Sequence, residues 1–126
     1  DPEFKRINTL LTMCVVAHAA AEIANSDEYG MAIAGRMRDG DLQLAVKDGP
    51  AYILRIKDHR ITVIPGLSDT PSSRMVFSGI EVTGAVLRGE MPAFEAVGTD
   101  QIRLSGFVPH LENFNGLLGL VASYLS

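Results

Sequence analysis

The chain predicts an α+β fold: a meander of short antiparallel strands at its centre, with helices before and after it. Three observations carry this reading. Residues 41–64 alternate apolar and polar side chains and are broken by two turn signals. The segments up to residue 38 and from residue 107 onward repeat apolar residues at helical spacing. Two more strand-like runs, at 74–77 and 101–105, bracket a helical pattern and bring the total to about five strands.

Composition sets the outer limits. The 126 residues, 47% apolar and 21% charged, suit one globular domain spanning 1–126, long enough to bury roughly two-thirds of the surface its unfolded form exposes. The net charge is −4 and the 11 basic residues are scattered, so no nucleic-acid partner is expected. Cys14 is the lone cysteine, which excludes an internal disulfide and a cysteine metal cluster. With neither a secretory h-region and cleavage site nor an uncharged apolar run of membrane-spanning length, the expected location is cytoplasmic.

Residues 1–38 read as two helices. The first runs from about Glu3 to Ala24, with Asp1 as cap, Pro2 in the first turn and Glu3 at the positive end of the dipole. Between Leu10 and Ala24 only Thr12, His18 and Glu22 are polar. Ile7, Leu10, Cys14, Ala17 and Ala21 are expected to line one face, while Leu11, Val15, Val16 and Ile23 widen it beyond the stripe a small sheet needs. The surplus has three readings: a dimer interface, shielding of an apolar ligand, or close packing of Ala17, Ala19, Ala20 and Ala21 on a neighbouring helix. Ser26 is the expected cap of a second helix from Asp27 to about Met37, covered by Tyr29, Ala32, Ile33 and Met37.

The meander occupies 41–64. Leu42, Leu44 and Val46 recur every second residue, Asp48-Gly49 supplies a hairpin turn, and Tyr52, Leu54 and Ile56 form the next stripe. A turn at Asp58-His59 leads to a third strand that stops at Pro65-Gly66. A loop follows from Pro65 to Ser73. Residues 74–106 then read as strand, helix and strand: Met75 and Phe77 alternate, Ser78 and Glu81 suggest a capping box, and the helix ends at Gly89. Pro92 starts a single turn through Phe94 and Val97, and Ile102 and Leu104 point inward from the fifth strand. The last helix, in 107–125, carries a stripe of Leu111, Phe114, Leu118, Val121 and Leu125. Its internal Gly116 and Gly119 mark either a lid that swings or close contact with the sheet backbone.

This order resembles the sterol carrier protein 2 (SCP2) sterol-binding domain. The residues that carry the resemblance are Gly40 to Gly49, Ala51 to Lys57, Leu87-Arg88-Gly89, and Ala93 to Gly98 leading to Ile102-Arg103-Leu104-Ser105-Gly106. It covers roughly Met37 to Leu125 and departs at Thr99-Asp100 and Phe107-Val108-Pro109. The resemblance implies a mixed sheet of about five strands with helices over one face, enclosing an apolar tunnel for a lipid, sterol or fatty acyl ligand. It places Val82, Val86, Leu87, Phe94, Ile102, Leu104, Phe107, Leu111, Phe114 and Leu118 toward the ligand. Met13, Met31, Met75 and Met91 are flexible enough to follow an irregular guest.

Catalysis is not expected. Cys14, His18, His59 and His110 are dispersed, with no base placed beside a nucleophile and no second ligand set for a metal. His59 and His110 are expected at the surface. Gly79, Gly84 and Gly89 lie along a helix rather than in a phosphate-binding turn, so no cofactor is implied. The expected function is non-catalytic binding or transfer of a hydrophobic small molecule, with transient membrane contact and a homodimer through the first helix as further partners. The alternative is a homodimeric structural or regulatory module without a cavity.

Overall fold

The computed structural model describes residues 2–87 and 89–125, and the side chains at positions 5, 10, 93, 94 and 125 lie outside that description. The cap expected at Asp1, the apolar roles expected of Leu10 and Leu125, and the ligand-facing role expected of Phe94 therefore fall outside the described residues. In chain order the elements are α1 (Pro2–Ser26), α2 (Glu28–Ala34), β1 (Gly40–Val46), β2 (Ala51–Lys57), β3 (Arg60–Pro65), β4 (Ser73–Phe77), α3 (Ile80–Leu87), α4 (Ala93–Gly98), β5 (Ile102–Gly106) and α5 (Val108–Leu125).

The five strands form one sheet in the order β3-β2-β1-β4-β5. β1 and β4 run parallel, and the other three pairs are antiparallel, so the sheet is mixed. Both meander turns place non-glycine residues at positive φ, Asp48 at 58° in the first and Asp58 and His59 at 51° and 64° in the second. Asp tolerates this region better than most residues, which is why such sequences mark turns.

Register explains the core. Val63, Leu54, Leu42 and Ser73 share one cross-strand row; Tyr52, Leu44, Met75 and Leu104 share the next; Val46, Phe77 and Ile102 share a third. The period of two puts all of them on one face, and the helices close over it: α1 against β2 and β3, α3 and α5 against β4, α4 against β5. Phe77, Leu42, Leu44 and Ile56 are completely enclosed.

The opposite face is sealed locally by the β3–β4 connection. Gln43 is buried there, donates to the carbonyls of Tyr52 (3.1 Å) and Gly66 (3.0 Å), and accepts from the Ser68 amide at 2.7 Å. Its whole amide is satisfied, so burial carries no unpaired polar group.

α1 buries only part of the surface expected: Ala17, Ala21 and Val16 turn inward, while the buried side is rotated away from Ile7, Leu11 and Val15. Met13, Val16, Ala17, Ala20, Ala21 and Ala24 are buried, while Ile7, Leu11 and Val15 are exposed. Hydropathy is nearly even around this helix, so periodicity did not select a side. The alanines allow a close approach, and α1 lies beside α2, α3 and α5 as well as the sheet. Its length and composition would also allow it to cross a membrane, although the alanine side is occupied by the fold.

The cap of α2 is Asp27 rather than Ser26. Asp27 has extended backbone angles and its carboxylate accepts from the amides of Tyr29 and Gly30 at 3.0 and 3.1 Å. Ser26 instead closes α1, its hydroxyl donating to the Glu22 carbonyl at 2.6 Å. α2 stops at Ala34, short of Met37.

Candidate ligand-binding site

The site lies where α5 passes the free edge of the sheet. β5 is an edge strand, and Ile102 and Leu104 lie on the face of the sheet that carries the helices. Gly106 turns the chain from β5 into α5 at a φ of 93°, a conformation that L side chains rarely adopt. A Cβ there would also run into the carbonyl oxygen of Ser72 and lie 2.8 Å from Ser73 Cα.

α5 then presents Val108, Leu111, Glu112 and Asn115 toward β5, the i, i+3, i+4, i+7 spacing of one helix face. Between them and the strand is a cleft of about 430 Å³. Met75, Ile102 and Leu111 are buried and form its floor, and Val97 of α4 adds a wall. Leu104, 38% exposed, and the more exposed Val108 stand at the mouth beside Glu112 and Asn115. The volume falls in the range of small-molecule sites.

His110 holds the start of α5. It is 1% exposed, contrary to the surface position expected for it. Its Nε2 lies 2.7 Å from the Arg38 carbonyl, which only accepts, so a neutral ring carries its proton on Nε2 and Nδ1 receives the Ser73 hydroxyl at 3.4 Å. Phe107 meets the imidazole edge-on at 4.9 Å and lies beneath the Arg38 guanidinium at 5.6 Å. These groups surround a second, more open depression of about 250 Å³.

The ten expected ligand-facing positions therefore divide. Ile102, Leu104 and Leu111 line the cleft. Val82, Val86, Leu87 and Phe114 are enclosed in the core, and Leu118 is half-buried against it. Phe107 faces the second depression, and the Phe94 side chain is outside the described residues. Val97, Val108, Glu112 and Asn115 were not anticipated. The helical spacing of the last three with Leu111 is the sequence signal that would have found them. Gly116, expected at a lid or against the sheet, instead leaves room for Ile33 of α2, whose Cδ1 would stand 3.3 Å from an added Cβ.

A mixed five-stranded sheet with its helices on one face is the architecture of the SCP2 sterol carrier domains, and the fold of this chain is SCP2-like. Among solved structures it is similar to a UbiJ-SCP2 ubiquinone synthesis protein, with a TM-score of 0.65 at 16% identity over 91% of this chain and 93% of that one. It is similar also to the sterol carrier protein domain 2 of Helicoverpa armigera, with a TM-score of 0.67, 14% identity and 85% of each chain covered. A palmitated SCP2L2 from Aedes aegypti matches with a TM-score of 0.59 at 20% identity, over 80% of this chain and 87% of that one. At these identities the likeness establishes the shared fold. No protein-family model matches the sequence, and no curated protein does so.

Proposed function

We propose that this chain binds a single hydrophobic molecule, a lipid, sterol or acyl compound, in the cleft between β5 and α5 and carries it without chemical change. The observation that supports this is the cleft: about 430 Å³, floored by Met75, Ile102 and Leu111, where α5 passes the edge strand of the sheet. Each methylene transferred from water to such walls contributes about 0.8 kcal/mol, so an alkyl guest needs few polar contacts. The described polar side chains along it, Ser105, Glu112 and Asn115, include no histidine or cysteine and suit holding rather than reacting. The palmitated insect structure of the same fold is in keeping with this reading. Uptake of a fluorescent fatty alcohol, followed by titration and by native mass spectrometry of the purified chain, is the test. Saturable binding of one molecule per chain is the expected result, and no uptake overturns the proposal.

A second reading rests on α1. Phe4, Ile7, Leu11 and Val15, spaced 3 or 4 apart, form an exposed apolar line on its outer side. A homodimer would cover it, and the same mass spectra separate a dimer from a monomer.

A further inference from the structure

We infer that the cleft selects an amphiphile whose polar end donates hydrogen bonds, a hydroxyl or an amine, and rejects a free carboxylate. The inference rests on the lipid-binding reading and narrows it. An alkyl tail lying on Met75, Ile102 and Leu111 brings its head to the mouth, where α5 presents Glu112 and Asn115. Neither side chain makes a hydrogen bond or ion pair with another described residue, so both are available to a guest. A glutamate carboxylate only accepts; it satisfies a hydroxyl or an ammonium and has nothing to donate to another carboxylate.

The opposite charge that would hold a fatty acid is missing from the described lining. Arg103, the cation on β5, alternates with Ile102 and Leu104 onto the other face of the sheet, is 81% exposed and lies 3.9 Å from an Asp100 carboxylate oxygen. Like charges repel, so a laurate head beside the Glu112 carboxylate is disfavoured against a neutral or cationic one, most clearly at low ionic strength because the mouth is exposed. Asn115 offers an amide donor to either kind of guest, which leaves the discrimination to Glu112.

The test uses the whole chain and the neutral dye Nile red, displaced at about pH 8, where carboxylic acids are ionised and alkylamines are cationic. Dodecanol, dodecylamine and laurate, equal in chain length, are compared below their micelle concentrations, with circular dichroism as the check on folding. Dodecanol and dodecylamine are expected to displace the dye at concentrations roughly tenfold lower than laurate does. In Glu112→Gln, an exposed helix position, laurate is expected to come within about threefold of dodecanol while dodecylamine loses its advantage. Equal displacement by all three in the unaltered chain, a preference for laurate, or a gap that Glu112→Gln leaves in place overturns the inference while lipid binding stands. Failure of Nile red and every amphiphile to bind brings down lipid binding itself.

Discussion

Tyr124 and Asp27, 97 positions apart, meet through a hydrogen bond of 2.8 Å in which the phenol donates to one carboxylate oxygen. The other oxygen of Asp27 caps α2, so one side chain both starts a helix and fastens the far end of α5. The phenol and the cap amides hold the Asp27 carboxyl below its usual 3.8, and the same bond pushes Tyr124 above its usual 10.0. A depressed carboxyl contributes stability above its unfolded pKa and loses it as pH falls through the folded value. Tyr124→Phe is therefore expected to lower the melting temperature at neutral pH, and the difference from the parent is expected to vanish in strong acid. Faster amide exchange confined to the last turns of α5 would show the fastening undone.

Asp41 and Arg55 face each other across β1 and β2 in a two-pronged ion pair, with bonds of 2.9 and 3.1 Å, and Asp41 also accepts from the Ser68 hydroxyl at 2.8 Å. Arg55 first, and Ser68 after it, hold the Asp41 carboxyl below the usual range. The Arg55 side chain is half exposed, and solvent screening keeps the coupling of the pair small. A double-mutant cycle with Asp41→Ala and Arg55→Ala in urea is expected to return that coupling at pH 7 and to lose it below the depressed carboxyl pKa. Persistence of the coupling in acid would contradict the assignment.

Much of the sheet was legible because strand periodicity and turn chemistry agree: Leu42, Leu44 and Val46 alternate, and Asp48-Gly49 and Asp58-His59 supply residues that tolerate the required backbone. The buried side of α1 was not legible, since Ile7, Leu11 and Val15 are as apolar as Met13 and Val16. Ser26 and Asp27 both suit an N-cap, and only backbone angles tell them apart. His110 looked polar and terminal; its burial depends on Ser73 and the Arg38 carbonyl, 37 and 72 residues away. At the site, alternation along β5 put Ile102 and Leu104 on the face that meets α5. Glu112 shares the face of Leu111, but a polar side chain adds nothing to an apolar period and so leaves no mark of its place beside the cleft.

Gly106→Ala is expected to destabilise the chain by more than about 2 kcal/mol, since it combines an unfavourable φ with a backbone collision at Ser72. Chemical denaturation measures the loss. Gly119→Ala, where a Cβ meets nothing within 4 Å, is the matched control and is expected to stabilise α5 by about 0.5 to 1 kcal/mol.

Leu104→Trp fills the mouth of the cleft from a position 38% exposed, where the larger ring has solvent to expand into. Dye uptake is expected to weaken by roughly tenfold or more, with the melting temperature within a few degrees of the parent. Unchanged uptake would place the guest elsewhere.

The parallel seam between β1 and β4 joins segments separated in the chain by β2, β3 and the connection that follows them. Residues 40–65 can assemble through neighbouring contacts, whereas β4 has to find β1 across a long stretch of chain, the kind of encounter that slows folding. β5, α4 and the beginning of α5 reach the rest of the sheet through β4. Pairing along this line is thus expected to come late, and a protein caught with it unzipped would hold a finished meander and no cleft beside β5.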